Sequence, residues 1–122
     1  MDEVVLPWPD RNLHPNSSTH WAALAKAKKK ARRDAHLVAK AAGWHQAQWP
    51  EGRLHVWIDG YAKDRRRRDH DGFLASLKAH LDGIADAMGV DDSRFVPHPY
   101  IKDETRNPPE VRIRVTGGPD AQ

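Results

Sequence analysis

Between Lys63 and Asp92 the chain reads KDRRRRDHDGFLASLKAHLDGIADAMGVDD, and the residue types suit chemistry on a phosphodiester. Lys63 and the consecutive Arg65, Arg66, Arg67 and Arg68 precede Asp69 and Asp71, and Asp91 and Asp92 close the stretch. Arginines attract a polyanion that acids alone would repel, while carboxylates bind a hard divalent cation able to act on one phosphate. Asp69 and Asp71 straddle one residue, so both can point one way in an extended segment or clasp a common ion across a helix start. Asp92 arrives from the far end of the following helix and loop. Three carboxylates from two segments make a half-shell for Mg²⁺, which takes oxygen ligands and keeps several waters, one of which could attack phosphorus. Without metal or a nearby arginine, such acids repel and at least one pKa rises. Each also has a plainer use: Asp71 and Asp91 are good caps and turn residues.

Lys78 is the candidate cation. At 100° per residue, Asp71, Lys78 and Asp82 fall within about 20° of a common line along a helix. Lys78 can point back toward a phosphate or form an ordinary ion pair with Asp82 one turn on. His70, between the aspartates, could assist proton transfer. None of the eight histidines forms an i, i+4 pair with a third ligand in view, which argues against zinc, and there is no glycine-rich phosphate loop.

The elements that must position these residues follow from periodicity. Val4 to Leu6 before Pro7, Trp8 and Pro9 suits an edge strand or arm, and Asp10 to Ser18 a loop. Ser18 or Thr19 can cap a long helix ending near Gly43, with Leu24, Ala27, Ala31, Ala35, Val38 and Ala42 as its apolar stripe. Lys26, Lys29, Lys30 and Arg33 lie largely off that stripe, as a solvated or a phosphate-contacting face would. Trp44 and Trp49, between Gly43 and Gly52, are expected to close over the core. Leu54, Val56 and Ile58 alternate through Arg53 to Asp59, the best strand in the chain. Asp69 and Asp71 then fall just beyond a strand end or at a helix start. Phe73, Leu74, Leu77, Leu81, Ile84, Ala85 and Met88 form a second helical stripe, ended by Gly89, that should pack on the sheet. Asp91 to Ser93 reads as a turn or cap, Arg94 to Lys102 as an edge strand with Pro97 and Pro99, Asp103 to Pro109 as a polar turn, and Val111, Ile113 and Val115 as a last strand. The expected fold is α+β: one small domain, residues 1–122, with a mixed β-sheet and two main helices in the order β-α-β-α-β-β. Residues 1–18 form an N-terminal strand, arm and loop, and 117–122 a frayed tail.

Composition sets the class. A chain of 122 residues suits a single domain, and five tryptophans with clear helical patterning argue against disorder. The absence of cysteine excludes disulfides and thiolate metal sites. The opening MDEVVLPWPD lacks the positive charge and long apolar run of a signal peptide, and no apolar run approaches the roughly 20 residues of a membrane span, so a cytoplasmic protein without a membrane partner is expected. The net charge is only +3, but it is local: Lys26 to Arg33 holds six positive charges and Lys63 to Arg68 five. Two such clusters point to nucleic acid.

RRRRDHD, a helix carrying a lysine and DGI, and then DDS together resemble the RusA family of Holliday junction resolvases; the LPWP opening and HPNSSTHW resemble its phage-type branch. The resemblance covers most of the chain. It implies a RusA-like, homodimeric, Mg²⁺-dependent endonuclease, with Mn²⁺ able to substitute, that cuts branched DNA at a four-way junction by paired symmetric nicks. By this similarity the catalytic carboxylates, which would hold the metal, fall on Asp69, Asp71 and Asp92, with Asp91 a further candidate, and the catalytic lysine falls most nearly on Lys78. Lys63, Arg65 to Arg68, Lys26, Lys29, Lys30 and Arg33 would hold the DNA backbone. The chain departs from the family twice: Gly72 stands where asparagine is usual, and Lys78 follows Asp71 by seven residues rather than four. The rivals are a non-catalytic basic DNA-binding accessory protein and a Mg²⁺ nuclease acting on flaps or RNA.

Overall fold

Two periodicities, every second residue in strands and every third or fourth in helices, divide the chain. In the computed structural model, which describes residues 3–18 and 20–118, the elements are β1 (Val4–Pro7), α1 (Trp21–Ala41), β2 (Leu54–Tyr61), α2 (His70–Ser76), α3 (Lys78–Met88), β3 (Phe95–Ile101) and β4 (Glu110–Gly117). The strands form one mixed sheet in the order β1-β4-β2-β3. β2 pairs parallel with β3 and antiparallel with β4, while β1 runs antiparallel to β4. The fold is a single small α+β domain. The proline-bearing strands are the two edges, as expected of residues that cannot donate to a ladder.

Leu54, Val56 and Ile58 of β2, and Val111, Ile113 and Val115 of β4, turn one face of the sheet into the core. Ala35 and Ala39 of α1 and Leu81, Ile84 and Met88 of α3 complete it. Trp44 is fully buried and Trp49 meets it edge-on at 5.4 Å, donating its indole N–H to the Trp44 carbonyl at 3.1 Å, so both tryptophans close over the core. On the opposite face His55 is also buried, because His98 of β3 covers it with ring nitrogens 2.8 Å apart.

Two glycines allow the close approaches. An ideal Cβ on Gly60 would lie 2.6 Å from the Phe73 ring, which stacks on Trp8 at 5.0 Å. One on Gly83 would lie 2.1 Å from the Arg32 carbonyl oxygen, so α3 touches the backbone of α1 there.

The structure corrects the sequence reading at two helix ends. The second long helix is two, α2 and α3, because the Ser76 hydroxyl donates to the Phe73 carbonyl at 2.6 Å and the Leu77 N–H bonds to Leu74 rather than Phe73, tightening and ending the turn. The cap of α1 is His20, whose Nδ1 accepts from the Ala22 N–H at 3.2 Å, not Ser18. Thr19 lies outside the described residues, as do Met1 and Asp2 of the arm and residues 119–122 of the tail. Gly89 ends α3 in the left-handed conformation, φ +73°, as its position predicts.

Candidate functional site

The arginine run lies in coil between the end of β2 and the start of α2, and its members divide by what they touch. Arg68 turns inward: its guanidinium donates to the Asp64 carboxylate at 2.8 Å and to the carbonyls of Asp64 and Arg66, both at 2.9 Å, and lies 5.6 Å over the Trp8 ring. Arg66 also approaches Asp64, at 3.4 Å. The backbone N–H of Arg66, and after it the Arg68 guanidinium, hold the Asp64 carboxyl down at about 2. Asp64 and Arg68 thus fasten the loop. Lys63, Arg65 and Arg67 are exposed and form no ion pair among the described residues.

Asp69 is the N-cap of α2, its Oδ1 accepting from the Asp71 N–H at 3.0 Å. Asp71 is exposed in the first turn, where the helix dipole favours a carboxylate. A concavity lined by Arg67, Arg68, Asp69, His70 and Asp71 therefore joins arginine to both acids. His70, in the same lining, is held against β3, its Nε2 accepting from the Ile101 N–H at 3.3 Å and its ring stacking on Tyr100.

Lys78 begins α3, beyond the break. Its ammonium donates to Asp82 at 2.9 Å and to Asp92 at 3.0 Å, which raises its pKa. The Asp92 carboxyl is held below its ordinary range by its contact with Asp82 and next by Lys78. Asp91 caps the short helical turn Asp92–Arg94, accepting from the Ser93 N–H at 2.9 Å. Arg32 joins this group through Asp86, at 2.7 and 3.1 Å. The candidate acids thus divide in two: Asp69 and Asp71 beside the arginines, and Asp92 with Asp82 around Lys78. Among the described residues no three histidine or acidic side chains form a group that could hold a metal ion. Mg²⁺ commonly takes only one or two carboxylates from protein and completes its shell with water and phosphate, and the exposed pair Asp69 and Asp71 fits that demand.

On α1, Lys30 pairs with Asp34 at 2.5 Å and Arg33 approaches it at 3.6 Å, while Lys26 and Lys29 remain exposed without an ion pair among the described residues. Sequence reasoning missed His14. Its Nε2 lies 2.7 Å from where a Cβ on Gly72 would stand, a point 3.6 Å from Asp69 Oδ2, so the ring occupies the space a side chain at position 72 would need. No spacing in the sequence points to that approach. Among the described residues no helix is long and apolar enough to cross a membrane.

No family model matches the sequence. The chain is 48% identical over 118 residues to a protein of Xylella fastidiosa (strain Temecula1 / ATCC 700964) that carries the name "Uncharacterized protein"; the match covers 96% of this chain and 77% of that one. The chain belongs to the same family as that protein.

Proposed function

We propose that this member of the Xylella protein's family is a Mg²⁺-dependent endonuclease on branched DNA, a RusA-like resolvase that acts as a homodimer on four-way junctions. The observation that carries the reading is the single concavity in which Arg67 adjoins Asp69 and Asp71 at the start of α2. Basic side chains alone would serve binding, but two exposed carboxylates among them weaken it, and their placement makes sense if they act on a phosphate.

In this reading Lys63, Arg65 and Arg67, the exposed and unpaired cations of the loop, contact backbone phosphates, while Asp64 and Arg68 keep the loop in place. Asp69, fixed by the Asp71 N–H, keeps Oδ2 for a cation or a water, and Asp71 offers its whole carboxylate. A Mg²⁺ held by this pair supplies charge neutralisation on the scissile phosphate and a more acidic water. Lys78, kept charged by Asp82 and Asp92, is a further cation for a backbone phosphate. A two-fold dimer would set one such site on each of two opposed strands of a junction, whose own symmetry is approximately two-fold.

A second reading, a non-catalytic DNA-binding accessory protein, is favoured by one observation: Asp69 caps a helix and Asp92 is held by Lys78, so each has a structural use. The readings separate in a Mg²⁺ assay that compares a four-way junction with linear duplex of equal length. Paired nicks in the junction and none in the duplex are expected. Equal cutting of both removes the resolvase reading, and no cutting of either favours the accessory.

A further inference from the structure

A cleft of about 750 Å³ opens between the N-terminal loop, the first half of α1 and the junction of α2 with α3. That volume lies within the range of small-ligand sites. Its apolar lining includes Leu13, Pro15, Leu24, Ala75 and Ala79. Lys28 and Lys29 stand on one side, exposed and forming no ion pair among the described residues. Trp21 is 76% exposed and, at i, i+3 and i+7, shares a helical face with Leu24 and Lys28.

The polar lining matters too. His14 accepts the Asn16 N–H on Nδ1 at 3.1 Å, so the proton of the neutral ring sits on Nε2, which lies against Gly72 on the Asp69 side. Lys78 and Asp82 line the same cleft. An apolar slot with unpaired lysines at its side and an exposed indole on the same helix face matches a flat ring attached to a phosphate.

We propose that this cleft takes one unpaired nucleotide, its base over Leu24, Ala75 and Ala79 and its phosphate against Lys28 and Lys29. That the nucleotide belongs to the DNA strand being cut rests on the nuclease reading; the cleft's chemistry does not. A base is easiest to extrude where stacking is already interrupted, as at a branch point.

The test is calorimetric titration of the whole protein, without metal, with the 5′-phosphorylated dinucleotide of thymidine and with inorganic phosphate. The dinucleotide should bind saturably, about tenfold or more tightly than phosphate, because covering one face of a base with apolar side chains adds to the phosphate contact. Ala75→Phe, which fills the slot from an exposed position, should abolish that preference, and Lys28→Ala with Lys29→Ala should weaken both ligands. Equal binding of phosphate and dinucleotide, unaltered binding by Ala75→Phe, or no dinucleotide binding overturns the proposal. Junction nicking is scored separately: nicking without dinucleotide binding removes the cleft and leaves the nuclease, while dinucleotide binding without nicking does the reverse.

Discussion

Gly83→Ala tests how tightly α3 is held against α1. The added Cβ would stand 2.1 Å from the Arg32 carbonyl oxygen and 2.9 Å from its carbon, where ordinary contact begins at 3.4 Å. The gap must open by about 1.3 Å along that line, 3.4 less 2.1, and the obstacle is helix backbone rather than a side chain that can swing away. Overpacking of this kind costs about 1–3 kcal/mol, and an unyielding neighbour places it near the upper end. Alanine in a helix interior returns about 1 kcal/mol relative to glycine, leaving a net loss of about 2 kcal/mol. With a urea slope of about 1.5 kcal/mol per molar for a chain this size, the unfolding midpoint should fall by about 1.3 M. Gly72→Ala is the control: its obstacle is the His14 ring, which can move, so its midpoint should shift by less than half as much. Equilibrium urea unfolding followed by tryptophan fluorescence measures both. A midpoint for Gly83→Ala equal to or above wild type would refute the close contact.

Burial pushes the imidazoles of His80 and His98 below the ordinary 6.5, with the neighbouring His55 adding to the effect on His98. A depressed base binds fewer protons folded than unfolded, so this stability is present above pH 6.5 and lost as pH falls through the folded values. The urea midpoint should therefore be lower near pH 5 than near pH 7.5, and His80→Leu should narrow that difference; an unaltered difference assigns the pH dependence elsewhere. Asp64→Ala removes the acceptor that fastens the arginine loop, so trypsin should cut between Arg65 and Arg68 several-fold faster under native conditions, and an unchanged cleavage rate would show that the loop is held otherwise. Arg65→Ala with Arg67→Ala should weaken DNA binding and make its salt dependence shallower by about two counterions, because each neutralised phosphate releases roughly one. An unchanged salt slope would place DNA on another face.

The sheet was legible because alternation carries its own register: Leu54, Val56, Ile58, Val111, Ile113 and Val115 all point inward, and the prolines of β1 and β3 mark the edges. Asp69 and Asp71 fell at a helix start, one of the two places that the sequence left open to them. The break at Leu77 was not legible, since a serine hydroxyl in a helix can face water or a carbonyl without altering the apolar stripe around it. That break removes Asp71 from the straight helix line drawn through Lys78 and Asp82, although the Lys78 to Asp82 pair itself formed. The partnership of Lys78 with Asp92 depends on how the chain returns after Gly89, and the approach of His14 to Gly72 on where a proline-bearing loop settles. Both are tertiary facts with no local period to announce them.

Catalysis by the carboxylates beside the arginine loop is the claim on which the account turns, and Asp71→Asn tests it most directly. The substitution keeps size and helix position while removing the charge of an exposed side chain with no hydrogen-bond partner among the described residues, so folding and junction binding should persist. Measured on a labelled four-way junction in Mg²⁺, wild type should produce paired nicks and the variant should lose them by about 100-fold or more while retaining binding within a few-fold. Nicking by Asp71→Asn at the wild-type rate would contradict the account.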